Sequence, residues 1–395
     1  MTDPKQNERS DGGSGPAGQP RAGSLPPSAA GATVPPATRP GPVALRGGEP
    51  VTIRAADGAL LHGELLVPAG AAPRVVAALS HAMMVDRRTL DLRVRSAVRP
   101  SVRPAAGAQG SAPSPETAPA DEPARGTGGI LTELLAAGVA VLWFDQRGHG
   151  QSGPTPTQGG RWDYDDLVAD AGAVAEYLRE RLPGCKRVAI GHSLFGHVAL
   201  AYQARAARAA REPSRPDRDR EAALYDGLVL IAGNVWLRCL EPSRLRFLAK
   251  RASYAALLLL SRPLGYLPVR RLGLGTADES GPYLSQMGGW VRSGDWTDRA
   301  GRSYLEALAS VRAPILSIAG AGDRLMAVPA TQLALVRRSS GPVTHWLVGK
   351  EQGDAVDAEH MQLVLDARLR PRWRALARWV YELGERSDPG EPARP

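Results

Sequence analysis

Short apolar runs alternate with longer stretches of helical period along most of this chain. VTIRAADGALLHGELLV, residues 51–67, alternates apolar and polar positions on either side of Asp57-Gly58, which predicts a β-hairpin. RVVAALS (74–80), VAVLWFD (139–145), KRVAIG (186–191), GLVLIAG (227–233), APILSIAG (313–320) and THWLVG (344–349) are short apolar runs, several of them rich in β-branched residues. Runs of that length and composition predict buried parallel strands. ILTELLAAG (130–138) predicts a helix stopped by Gly138. YDDLVADAGAVAEYLRERL (164–182) predicts an amphipathic helix with acidic residues in its first turn and arginines in its last. A further helix begins at about Ser193, and a final one covers about Gln362 to Leu383. Strands alternating with helices predict an α/β fold with a mostly parallel sheet covered on both faces. Ligands bind such sheets beyond the carboxyl ends of the strands.

Three stretches break the pattern. Residues 1–47 are rich in Gly, Pro, Ala and Ser and carry no apolar period. Such a segment cannot bury enough surface to offset its ordering entropy, so a disordered tail is expected. About 94–128 reads as a similar surface insertion, and REPSRPDRDR (211–220) as a shorter one. Residues 387–395 are expected to form a second disordered tail. The expected organisation is a core in two parts, 48–233 and 311–386, separated by a helical excursion over 234–310.

Composition narrows the function. The formal net charge is +9, and the basic residues are mostly arginines, many of them in low-complexity stretches without interleaved aromatics or a nucleic-acid motif. No nucleic-acid partner is expected. Two cysteines, Cys185 and Cys239, are too few for a disulfide scaffold or a Cys-based zinc site. The N-terminus lacks the apolar core of a secretory signal, and the longest apolar run, 254–260, falls short of the ~20 residues of a membrane span. A cytoplasmic location without a transmembrane segment is expected, and oligomeric state stays open.

Candidate chemistry gathers at strand ends. In Gly191-His192-Ser193-Leu194-Phe195-Gly196, a strand runs directly into a helix with Ser193 at the joint. A G-x-S-x-G elbow at such a joint strains the serine and exposes its hydroxyl over the helix N-terminus. Here Phe195 replaces the second glycine, and Gly196 follows one place later. A serine in this position is equally suited to capping the helix.

Together LSHAMM (79–84), FDQRGHGQSG (144–153), GHSLFG (191–196), and the loops bearing Asp323 and His360 resemble the α/β-hydrolase superfamily, lipase and serine-aminopeptidase-like branch, including uncharacterised bacterial hydrolases. The resemblance covers about 50–386 apart from the inserts, and the chain order Ser, Asp, His agrees with it. It implies the α/β-hydrolase fold, with Ser193 as nucleophile, Asp323 as triad carboxylate and His360 as base. Asp354 and Asp357 are rival acids near His360. The oxyanion donors would be the backbone amides of Met83 and Leu194. Ala82 stands where the family usually has glycine. His81 is expected to be structural, as is His149 of the RGHG turn. His345 is expected to pack within its strand, His197 to face away along its helix, and His62 to lie far from the site.

Between the strand ending at Gly233 and the strand starting near Ala313, the resemblance implies a helical lid over the site, here over 234–310. Met84, Trp236, Tyr254 and Trp290 are candidate substrate contacts, although most such aromatics would pack the lid onto the core. A small apolar acyl substrate is expected, with no cofactor and no metal, since the histidines do not cluster at ligand spacing. The implied activity is hydrolysis of a carboxylic ester or related acyl bond through an acyl-enzyme. Two alternatives stay open. One is a binding protein in which Phe195 has pushed Ser193 off line. The other is an acyltransferase, thioesterase or aminopeptidase using the same triad.

Overall fold

A computed structural model describes residues 48–70, 72–92, 128–211 and 224–385. The tails and all or most of each low-complexity insert lie outside the described residues.

Eight strands form one sheet: β1 (Glu49–Arg54), β2 (Leu60–Leu66), β3 (Val75–Ser80), β4 (Ala140–Phe144), β5 (Lys186–His192), β6 (Gly227–Ile231), β9 (Ile315–Gly320) and β10 (Val343–Val348). Their order is β1-β2-β4-β3-β5-β6-β9-β10. β1 pairs antiparallel with β2, and β2 antiparallel with β4; every other pair is parallel. The Asp57-Gly58 turn falls between β1 and β2 as the alternation predicts. β3, β4 and β6 are buried along their whole length, which explains their continuous apolar runs.

The helices are α1 (Ile130–Ala136), α2 (Tyr164–Arg181), α3 (Leu194–Ala209), α4 (Arg244–Ser261), α5 (Gly281–Ser293), α6 (Tyr304–Ala307), α7 (Pro329–Val336), α8 (Gln362–Leu365) and α9 (Arg370–Glu385). Two apolar clusters result. One packs α2 and α3 on one sheet face, and the other packs α1 and α9 on the opposite face. α2 is capped by Asp163, whose carboxylate accepts from the amides of Asp165 and Asp166.

The C-terminal helix departs from its apolar pattern. One helix over 362–383 is expected, but the structure breaks it into α8, a 3₁₀ turn (Ala367–Leu369) and α9. Asp366 takes an extended conformation (φ −91°, ψ 109°), and its carboxylate accepts from the Arg368 amide. Pro371, which has no N–H to donate, then sits in the first turn of α9, where none is required.

Between β6 and β9 the chain makes a long excursion carrying α4, α5, α6 and a small two-stranded ribbon, β7 (Tyr266–Leu267) with β8 (Glu279–Ser280). It seats on loops at the carboxyl ends of the strands. The Ser280 hydroxyl donates to the carbonyl of Trp162, Tyr304 hydrogen-bonds Asp165, and Trp290 lies edge-on to Tyr164 at 4.7 Å. Among the described residues no helix is long and apolar enough to cross a membrane.

Candidate active site

Ser193 lies between β5 and α3 with φ 51° and ψ −102°, a combination that L-residues rarely adopt. Its amide donates to the carbonyl of Ile231 on the neighbouring strand, at 2.8 Å, which pins the turn to the sheet. The turn closes because two glycines approach each other. A Cβ on Gly191 would lie 2.0 Å from the Gly196 nitrogen, and a Cβ on Gly196 would lie 3.0 Å from the Gly191 oxygen. Gly196 therefore supplies the close contact. The Phe195 side chain is buried in the core, edge-on to Phe144 at 5.2 Å. The displaced glycine is accommodated, and the ring takes up core volume beneath the elbow.

Asp323 follows β9 and His360 follows β10, strands that lie side by side. The two loops are tied by the amide of Ala321 donating to the carbonyl of Val348 and that of Gly322 to the carbonyl of Ala358, both at 2.9 Å. His360 Nδ1 donates to Asp323 Oδ2 at 2.7 Å. The same carboxylate accepts from the amides of Met326 (2.8 Å) and Ala327 (2.9 Å). Burial alone would raise the pKa of Asp323, but the hydrogen bond and charge of His360, with those amides, hold it below the ordinary carboxylate value. The rival acids are committed elsewhere. Asp354 is paired with Arg372 at 2.6 Å, and Asp357 accepts from the Lys350 amide.

The structure thus brings Asp323 and His360 into direct contact. It also brings His360 beside the elbow, since the carbonyl of His360 accepts from His192 Nε2 at 3.1 Å and the two rings are 5.2 Å apart. It does not close a hydrogen bond between the Ser193 hydroxyl and the His360 ring. His192 is fully buried, and desolvation pushes its pKa down to about 3. It is a neutral donor that fastens the His360 loop to the residue before Ser193. The sequence alone suggests only the elbow's variable position for it, because its partner is a backbone carbonyl far along the chain.

The loop after β3 carries Met83 and Met84, both half-buried. The amide of Met83 has no partner among the described residues, and that of Leu194 is the first N–H of α3, which a helix leaves unpaired. His81 behaves as expected. Its Nε2 accepts from the Gln146 amide, so Nδ1 carries the proton and donates to the carbonyl of Ala82 at 2.8 Å. Burial lowers its pKa to about 3. His197 stacks on Tyr164, whose hydroxyl lies 2.8 Å from its Nδ1 and donates to its backbone carbonyl at 3.1 Å, within the α2–α3 packing.

Glu279 is a residue the sequence pattern misses. Fully buried on β8, it accepts from the Met84 amide at 2.5 Å and pairs with His149 at 3.1 Å. The Met84 carbonyl in turn accepts from Thr276 (2.8 Å) and Ala277 (3.1 Å). Met84 has φ 64°, so the excursion clamps a strained residue next to Met83. Trp236 donates to the carbonyl of Met326 and lies edge-on to Tyr254 at 5.9 Å, beside the Asp323 loop. Trp290 instead donates to the carbonyl of Thr297 and packs on α2. Cys185 and Cys239 are both free.

A family model described as serine aminopeptidase, S33, matches residues 122–345. Among solved structures, DcsB in complex with its substrate analogue is 13% identical, over 86% of this chain and 100% of that chain, with a TM-score of 0.52. Dienelactone hydrolase from Anabaena variabilis is 14% identical, over 86% and 98%, with a TM-score of 0.44. Brefeldin A esterase, a bacterial homologue of human hormone-sensitive lipase, is 17% identical, over 90% and 81%, with a TM-score of 0.46. At such identities the DcsB likeness bears on the fold alone.

Proposed function

The chain belongs to the serine aminopeptidase S33 family of α/β-hydrolases, and on that premise we propose that it hydrolyses a carboxylic ester through Ser193, His360 and Asp323. The observation that carries this reading is the Asp323–His360 hydrogen bond of 2.7 Å, held beside a serine whose backbone is strained at φ 51°. Asp323 fixes the proton on Nδ1 and leaves Nε2 as the base. The Ser193 oxygen attacks the ester carbonyl carbon while its proton passes to Nε2. The oxygen of the tetrahedral intermediate takes hydrogen bonds from the Met83 and Leu194 amides, and one such donor is worth about 3 kcal/mol. Collapse breaks the bond to the alcohol, which leaves with the proton from Nε2. Water then attacks the acyl-serine by the same route, releasing the acid and restoring the serine.

The half-buried Met83 and Met84, with Trp236 and Tyr254 beside the Asp323 loop, favour an apolar acyl group. Nitrophenyl esters of rising chain length, assayed beside aminoacyl anilides, test the proposal. Turnover of the esters that falls at least about 10³-fold in Ser193→Ala is expected. Cleavage of the anilides alone would transfer the triad to peptide chemistry, and equal ester turnover by Ser193→Ala would end the proposal.

A further inference from the structure

Helix α4 is built inside out. Its inward face carries Lys250 and Ser261 with Phe247 and Tyr254, and Lys250 is buried there only because Glu241 meets it at 2.9 Å. Its outward face is apolar. Leu245 is 81% exposed and Leu259 63%, with Leu248 and Leu260 also exposed and alanines filling the turns between them. Leu264 and Leu272 continue the exposed apolar surface beyond the helix. Most of the large exposed hydrophobic residues among the described ones fall in this stretch, whereas scattered single exposures are the norm.

Charge identifies what can cover this face. From Pro242 to Ala277 the sequence contains seven Lys and Arg and no Asp or Glu. Among the described residues, only the side chains of Arg246 and Lys250 in this stretch reach a carboxylate, that of Glu241. At the carboxyl end of α4, Arg262 joins Arg161 and Arg292 around a cavity of about 340 Å³, and none of the three has an ion pair among the described residues. A second copy of the chain laid on this face would oppose arginines to arginines. An anionic surface with an apolar interior satisfies both features: leucines enter the acyl boundary while guanidinium groups hold phosphates in bidentate fashion.

We propose that the exposed face of α4, with the adjoining arginine-lined cavity, docks the protein on a membrane surface bearing anionic phospholipids. The juxtaposition is independent of the acyl chemistry, and its test reads binding rather than turnover. Full-length protein is sedimented with phosphatidylcholine vesicles and with vesicles containing about one third phosphatidylglycerol, at low and high salt. Binding to the anionic vesicles, weakened by salt, is expected. Leu245→Ser with Leu259→Ser should weaken it about tenfold or more, at an unchanged melting temperature because both residues are exposed. Arg262→Gln with Arg292→Gln should weaken it and reduce its salt dependence. Equal affinity for both vesicle types, or binding that both double variants retain, would overturn the proposal. So would a concentration-dependent dimer abolished by the leucine variants, or displacement from vesicles by millimolar inorganic phosphate at constant ionic strength, since these assign the surface to a second copy or a soluble anion.

Discussion

A serine at φ 51° and ψ −102° stores strain on the order of 1–3 kcal/mol, and the fold holds it there through the Gly191–Gly196 contact and the Ile231 carbonyl. His192 then ties the same turn to the His360 backbone. The account gives His192 a positioning role: removing its N–H should loosen His360 without touching the chemistry directly. His192→Phe is expected to lower kcat about tenfold with KM nearly constant, the scale of one lost hydrogen bond. His192→Gln, which keeps a donor, should recover part of the loss, and steady-state kinetics of the three proteins checks this. At this scale the sequence points to Ser193 and Asp323 by their places one and three residues past a strand end, whereas His360, twelve residues beyond β10, is singled out only by the family resemblance. The spacing of glycines around a serine does not reveal that the Phe195 ring turns into the core against Phe144.

Among the elements, the ribbon strand β8 and the loop after β3 are coupled through Glu279. That carboxylate accepts from the half-buried Met84 and pairs with His149, and the Glu279 and His149 side chains are both fully buried. Burial works against charge on the His149 ring, but the charge and hydrogen bond of Glu279 outweigh it and hold its pKa above the ordinary value of 6.5. A group raised in the folded state contributes stability that is complete below the unfolded value and is lost as pH climbs through the folded one. Urea unfolding between about pH 6 and pH 9 should therefore show a stability loss with rising pH that Glu279→Ala removes. The variant should also be about 3 kcal/mol less stable at the acid end, the cost of leaving one partner of a buried pair alone. A wild-type curve flat across that range would contradict the coupling. Strand and helix positions were legible because burial on both faces writes continuous apolar runs. The break at Asp366 was not, since the apolar pattern carries across it. Nor was the Glu279 clamp, which joins residues on separate elements without any local pattern.

For the whole molecule, the described ends of the first insert return to the same place. A Cβ on Gly129 would lie 2.4 Å from the Leu90 carbonyl oxygen, so the chain leaves and re-enters the fold at adjacent points. Closing such a gap with a short linker costs little, because loop entropy varies slowly with length. Replacing residues 94–127 by a short Gly-Ser linker is expected to leave ester turnover within about twofold and to change the midpoint of unfolding little. Collapse of activity in a folded deletion protein would give the insert a role at the site.

The central claim is that Ser193 is a nucleophile made reactive by His360. Its most direct test is a fluorophosphonate probe applied to the purified protein, with the modified residue identified by mass spectrometry. The account predicts a single adduct on Ser193 that fails to form in His360→Ala. Labelling that persists unchanged in that variant, or no adduct on Ser193 in the wild-type chain, would contradict it.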